Sequence, residues 1–155
     1  MNDLINVVIL GSTGSIGEQA LQVIDQHADK FRVVGLAARN EVETLCQQID
    51  KYHPSMVAVG DLGVYNELKQ LKGKQVEIVC GIKGLCELAA LDEADTVVVA
   101  VSGSIGIEPT LAAIRKSKRI ALANKETLVA AGDIVMSSAK IAQAMIIPVD
   151  SEHSA

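Results

Sequence analysis

The segment Ile5–Ala28, INVVILGSTGSIGEQALQVIDQHA, decides the fold. Its first part, Ile5 to Leu10, is an apolar run of strand length. Its last part, EQALQVIDQHA, repeats at helical spacing, with Ile16, Ala20, Val23, Ile24 and His27 near one face. Between them lies GSTGSIG, Gly11 to Gly17. A strand, a tight glycine turn and a helix, in that order, make a phosphate-binding element. Gly11 lets the strand turn sharply, and Gly14 leaves room for backbone N–H groups to approach a pyrophosphate. Gly17 allows close packing of the helix, whose N-terminus offers free donors and partial positive charge. The spacing G-x-x-G-x-x-G is a relative of the dinucleotide fingerprint G-x-G-x-x-G. A glycine loop also serves as a plain turn; the strand before it and the helix after it favour the nucleotide reading.

The same pattern recurs along the chain. Strand-length apolar runs fall at Ile5–Leu10, Arg32–Ala37, Met56–Val59, Val76–Cys80, Thr96–Val101, Ile120–Ala123 and Met145–Val149. They are β-branched and lack alternation, as expected of strands covered on both faces. Helical patterns separate them: Ile16–Gln26, Glu41–Lys51, Asp61–Leu71 (capped by Asp61 and interrupted by Gly63), Gly84–Leu91, Pro109–Lys116 and Glu126–Ala144. Proline suits the first helical position of the fifth. Gly132 is expected to break or bend the sixth. This alternation predicts an α/β fold with a doubly wound parallel sheet, in which ligands bind at the carboxyl ends of the strands.

Composition narrows the function. A chain of 155 residues that is 49% hydrophobic has a full core, so disorder is excluded. With only Phe31, Tyr52 and Tyr65 aromatic, that core is aliphatic. A net charge of −5 argues against a nucleic-acid partner. The one basic run, Arg115, Lys116, Lys118 and Arg119, reads as a helix C-terminus complementing the macrodipole. No apolar run is long enough to span a membrane. The start MNDLINVVIL lacks a basic leader and passes directly into a strand, so no signal or transit peptide is expected. Cys46, Cys80 and Cys86 are odd in number and form no C-x-x-C, as in a cytoplasmic protein with reduced thiols. The three histidines form no ligand pair.

Strand ends carry the candidate chemistry. After the second strand stand Ala37, Ala38, Arg39 and Asn40, where an NAD-preferring site would place an acid. Arg39 can instead pair with a 2′-phosphate, which points to NADP; the competing reading is an exposed loop arginine. Asn124, Lys125 and Glu126 lie between a strand and a helix start. Lys125 there can hold a substrate oxygen or move a proton, while helix capping by Asn124 and a surface Lys–Glu pair serve equally well. Asp150 and Glu152 flank Ser151 in an extended segment, so both carboxylates face one way. A hard divalent cation such as Mg²⁺ or Mn²⁺ would relieve their repulsion; a solvated acidic strand end is the alternative.

Taken together, ILGSTGSIG, TLAAIRKSKRIALANKETLV and PVDSEHSA, in this order and spacing, resemble the 1-deoxy-D-xylulose 5-phosphate reductoisomerases. PVDSEHSA and LANKE are the specific strings. The resemblance implies a Rossmann-like NADP-binding domain over residues 1–144, with 145–155 beginning a catalytic domain that continues further in the family. It implies cofactor contacts from Thr13, Gly14, Ser15, Ile16, Ala38, Arg39, Asn40, Asn124 and Glu126. Family members often carry glycine at the place of Ala38. Lys125, Ser151 and Glu152 would touch the sugar-phosphate substrate, with Lys125 and Glu152 catalytic, and Asp150 and Glu152 would hold the metal. The implied reaction is NADPH-dependent: a metal-assisted rearrangement, then hydride transfer, giving 2-C-methyl-D-erythritol 4-phosphate. The family also implies a homodimer. The 155 residues by themselves are expected to bind NADPH weakly and without turnover. Two other readings stay open: another NADP oxidoreductase of the semialdehyde or homoserine dehydrogenase kind, and a nucleotide-sensing module without catalysis.

Overall fold

The computed structural model describes residues 3–149. Seven strands form one sheet: β1 Ile5–Leu10, β2 Phe31–Ala37, β3 Met56–Val59, β4 Glu77–Cys80, β5 Thr96–Val99, β6 Arg119–Leu122 and β7 Met145–Pro148. Every pairing is parallel, in the order β4-β3-β2-β1-β5-β6-β7. Six helices connect them: α1 Ser15–Gln26, α2 Val42–Tyr52, α3 Leu62–Lys72, α4 Gly81–Ala89, α5 Ile107–Arg115 and α6 Lys125–Ala142. The chain winds outward from β1 to β4, returns to β5 beside β1, and winds outward again. The strand order therefore reverses between β1 and β5, which is where a doubly wound sheet opens a crevice.

Both faces of the sheet are buried, which explains the missing alternation. On β1, Val7 and Ile9 pack with Leu21 and Ile24 of α1, Leu45 and Ile49 of α2, and Leu68 of α3. Val8 and Leu10 face the other way, toward Leu85 and Leu88 of α4, Ala113 and Ile114 of α5, and Val135 and Ala139 of α6. Three helices thus cover each face. Each buried Val, Leu or Ile contributes roughly 1.5–3 kcal/mol relative to exposure, so the two aliphatic layers supply the folding drive that aromatic residues supply elsewhere.

All seven strands and all six helices fall where the pattern places them, with no end shifted by more than three residues. Asp61 caps α3 through Val64 N–H at 3.0 Å, and Gly63 does not interrupt that helix. Pro109 is the third residue of α5 rather than the first, because a 3-10 turn, Gly103–Gly106, leads into the helix. Its missing N–H still falls in the first turn, where no intrahelical partner exists. The basic run is corrected at two positions: Arg119 opens β6 rather than ending a helix, and Lys118 turns inward. Lys118 is buried, and its ammonium donates to the carbonyls of Asp92 (3.2 Å) and Ala94. Desolvation pulls its pKa down, opposed by Asp92 and Asp95. It is a tie holding the turn before β5, not a surface charge. The expected bend in α6 is present: Ala131, next to Gly132, leaves helical geometry at φ −139°, ψ 22°. β7 pairs with β6, so the sheet runs past residue 144 to Pro148.

Two glycines should respond oppositely to alanine. At Gly35 in β2 a Cβ would stand 2.6 Å from Leu88 Cδ1 and 3.0 Å from Val8 Cγ2. Overpacking there costs about 1–3 kcal/mol. At Gly132 nothing lies within 4 Å of the added atom, and helix propensity favours alanine by about 1 kcal/mol. Urea unfolding should show Gly35→Ala destabilised and Gly132→Ala level with the parent or above it.

Candidate functional site

The loop after β1 is held from two sides. Gly11 N–H and Ser12 N–H both donate to the Ala37 carbonyl at the end of β2, at 2.9 and 2.8 Å. Ser12, fully buried, donates its hydroxyl to Gln48 Oε1 at 2.7 Å, and Gln48 Nε2 returns a bond to the Ser12 carbonyl at 3.0 Å. This reciprocal pair satisfies two buried polar side chains and clamps the loop to α2. Gln48 follows Leu45 by three residues and precedes Ile49, so helical spacing already placed it on the buried face of α2.

The three loop glycines have different duties. Gly11 has φ +89°, and a Cβ would stand 2.8 Å from the Ala100 carbonyl oxygen after β5. A Cβ on Gly17 would collide with the Gly11 carbonyl oxygen. That close approach is to the loop itself, so Gly17 sets how tightly α1 closes on its own turn. Gly14 differs from both: the nearest atom to an added Cβ is Gly11 O, 3.8 Å away. Nothing among the described residues forbids a side chain at Gly14, and the space above it is open to a ligand. Gly14 is also the N-cap of α1 and no side chain caps that helix, so its first N–H groups remain for an anion.

That space is a cleft of about 580 Å³ at the switch point, within the range of small-molecule sites. Its lining draws on every strand end from β1 to β5, including Gly11, Thr13 and Gly14, Ala38, Arg39 and Glu41, Gly60, Gly81, and Ser102 to Ile105 in part. Arg39 is exposed and has no ion-pair partner among the described residues. Its backbone is fixed by Gly60 N–H, which donates to the Arg39 carbonyl at 2.9 Å. Sequence reasoning missed Glu41, the one acid of the lining. Its carboxyl is held below the usual range chiefly by the Asn40 N–H, against desolvation, with its own N–H, the Thr13 hydroxyl and the Arg39 N–H adding to the effect.

The structure thus gathers Thr13, Gly14, Ala38 and Arg39 around one cleft, with Ser15 and Ile16 in the first turn of α1 and Asn40 beside Arg39. Asn124 lies behind the far wall. It is nearly fully buried, and its amide donates to the carbonyls of Val101 (2.8 Å) and Gly103 (2.7 Å) while its oxygen accepts Thr127 N–H at 3.0 Å. Its side chain is a helix cap and a staple for the 102–106 loop. Lys125 and Glu126, the first two residues of α6, are exposed. Val149, the last described residue, donates to the Leu122 carbonyl at 2.8 Å, so the chain reaches this sheet end from β7 as well. Asp150, Ser151 and Glu152 lie outside the described residues. Among the described residues no group of three or more His, Cys, Asp or Glu side chains is placed to hold a metal ion, and no helix is long and apolar enough to cross a membrane. The three cysteines are free.

The sequence profile of 1-deoxy-D-xylulose 5-phosphate reductoisomerase matches residues 7–132. The chain belongs to the 1-deoxy-D-xylulose 5-phosphate reductoisomerase family. The reductoisomerase of Thermodesulfovibrio yellowstonii is 50% identical over 149 residues, 96% of this chain and 39% of that protein. A crystal structure described as DOX-P reductoisomerase in complex with NADPH, fosmidomycin and magnesium superposes with a TM-score of 0.92 at 40% identity, covering 97% of this chain and 37% of that one. The chain thus spans about two fifths of the length of the reductoisomerases it matches. A homoserine dehydrogenase from Thiobacillus denitrificans shares the fold alone, with a TM-score of 0.62 at 19% identity over 94% of this chain and 29% of that one. The doubly wound, Rossmann-like sheet expected of a reductoisomerase front half is the one observed.

Alanine at two of the loop glycines separates folding from binding. Gly14→Ala should leave urea-unfolding stability within about 0.5 kcal/mol of the parent, yet weaken binding of a dinucleotide in calorimetric titration. Gly17→Ala should lower both, since the clash is with backbone that cannot move aside.

Proposed function

We propose that this chain forms the NADPH-binding part of a reductoisomerase that converts 1-deoxy-D-xylulose 5-phosphate to 2-C-methyl-D-erythritol 4-phosphate. The observation that carries the cofactor reading is one cleft bearing, among the described residues, three features: an uncapped helix N-terminus, an unopposed Gly14 and an Arg39 without an ion-pair partner. Each suits phosphate, and the start of α1 at Gly14 and Arg39 border the same space, whose size takes a dinucleotide's anionic parts. The family match supports the reaction.

In this reading Thr13, Gly14, Ser15 and Ile16 cradle the pyrophosphate, and Ala38, Arg39 and Asn40 hold the adenosine 2′-phosphate end. Asn124 and Glu126 complete the cofactor side, Asn124 by shaping the loop it staples. Lys125 orients a substrate oxygen and stabilises charge that develops on it. Ser151 and Glu152 contact the sugar phosphate, with Glu152 catalytic beside Lys125, and Asp150 and Glu152 are the metal carboxylates. When bound, NADPH supplies hydride and Mg²⁺ or Mn²⁺ supplies Lewis acidity toward substrate oxygens. Residues 1–144 make up the cofactor domain, and 145–155, opening with the last strand of its sheet, lead into the catalytic domain. The protein works as a cytoplasmic homodimer on a small sugar phosphate, with no nucleic-acid or membrane partner. A related dehydrogenase activity is the weaker reading, since the homoserine dehydrogenase likeness extends only to the fold.

Titration of this chain with NADPH and with NADH tests the cofactor assignment. NADPH should bind more tightly, and Arg39→Ala should narrow the gap by about tenfold or more, the loss of one charge-assisted contact. Equal affinity for the two cofactors in the parent would remove Arg39 from the site.

A further inference from the structure

The adenosine end of the cleft carries two charges of opposite sign, and only one of them is committed. Arg39 has no ion-pair partner among the described residues. Glu41, two residues further on, lines the same cleft. Its carboxylate folds back over the turn between β2 and α2: Oε2 accepts the Asn40 N–H at 3.1 Å. The Glu41 and Arg39 N–H groups and the Thr13 hydroxyl further favour its charged form. Thr13 belongs to the glycine loop and lines the same cleft, so the Glu41 carboxylate stands beside that loop as well as the turn carrying Arg39. It does not cap α2 with its side chain, and its exposure leaves it free to rotate outward.

A phosphate entering beside Arg39 needs N–H and O–H donors from this same turn. Here an internal anion already holds one of them, the Asn40 N–H. We propose that Glu41 is a specificity-determining residue that narrows the preference of this cleft for a 2′-phosphorylated nicotinamide cofactor over its unphosphorylated counterpart. The proposal rests on the NADPH reading above. Binding of NADPH must displace the Glu41 carboxylate from its donors and then tolerate its charge nearby. Binding of NADH requires no displacement, and the carboxylate in place offers its 2′-hydroxyl an acceptor, the role an acid plays after the second strand of NAD sites. Arg39 and Glu41 thus pull selectivity in opposite directions from positions two residues apart.

The test is calorimetric titration of NADPH and NADH into this chain and into Glu41→Gln and Glu41→Ala, with Arg39→Ala alongside. Glutamine keeps the size and one acceptor oxygen but removes the charge. Both Glu41 variants should raise the NADPH-to-NADH affinity ratio, by about tenfold for loss of one nearby charge, with NADH affinity unchanged or reduced. A ratio that stays within about twofold of the parent in both variants, or that falls, overturns the proposal. Arg39→Ala distinguishes the two possible failures. If it lowers NADPH affinity while the Glu41 variants leave the ratio alone, only the role of Glu41 is lost. If NADPH affinity ignores Arg39→Ala, the cofactor reading fails and the proposal falls with it.

Discussion

Everything at the ligand-facing end of this sheet depends on how closely β1 approaches β5 at Gly11. The backbone turns there with φ +89°, and a Cβ would stand 2.8 Å from the Ala100 carbonyl oxygen. An L-residue would face both the left-handed backbone penalty and that contact. Glycine removes both, so the two strands stay paired until they part at the switch point. The cleft opens where they part. Because Gly11 and Ser12 share the Ala37 carbonyl, the turn is also referenced to β2, and Ser12 with Gln48 refers it to α2. Three elements thus fix one loop before any ligand arrives. A pre-formed cradle spends little binding energy on ordering itself.

Polar side chains near the cleft act mainly on backbone shape. Asn124 spends its whole amide on Val101, Gly103 and Thr127. A Cβ on Gly106 would stand 2.5 Å from Asn124 Nδ2 and 3.0 Å from Thr127 Oγ1, and the Gly106 carbonyl accepts the buried Thr110 hydroxyl at 2.7 Å. The far wall of the cleft is therefore tied to α5 on one side and to the start of α6 on the other. The helix cap that the sequence allows at Asn124 is present, and the same side chain holds the wall.

The fold was legible because its signal is redundant. Seven short β-branched runs, each followed by an amphipathic stretch or a glycine turn, leave few topologies open, and burial on both faces made the runs continuous. The positions of Gly11, Gly14 and Arg39 followed from that topology. What stayed hidden are side chains that act against their type. Lys118 sits in a basic run, and nothing in the run distinguishes the lysine that turns inward from those that stay in water. Glu41 reads as an ordinary acidic residue at a helix start, yet its carboxylate lies in the cleft. Only Gln48 left a trace, through its spacing from Leu45 and Ile49. Gly17 was legible as necessary but for a different reason, the Gly11 carbonyl rather than the sheet.

The bend in α6 completes the argument about placement. Beyond Ala131, Val135 and Ala139 dock the helix into the core between β5, β6 and α5. Before it, the first turns are held by Asn124 and by the buried Thr127. With non-helical geometry at Ala131, the two parts need not share an axis. Leu128 and Ala131 also pack against the core, so the segment that carries Lys125 and Glu126 is held both by the loop that walls the cleft and by the core. The staple that shapes the far wall of the cleft is also the cap that starts the helix carrying those two residues.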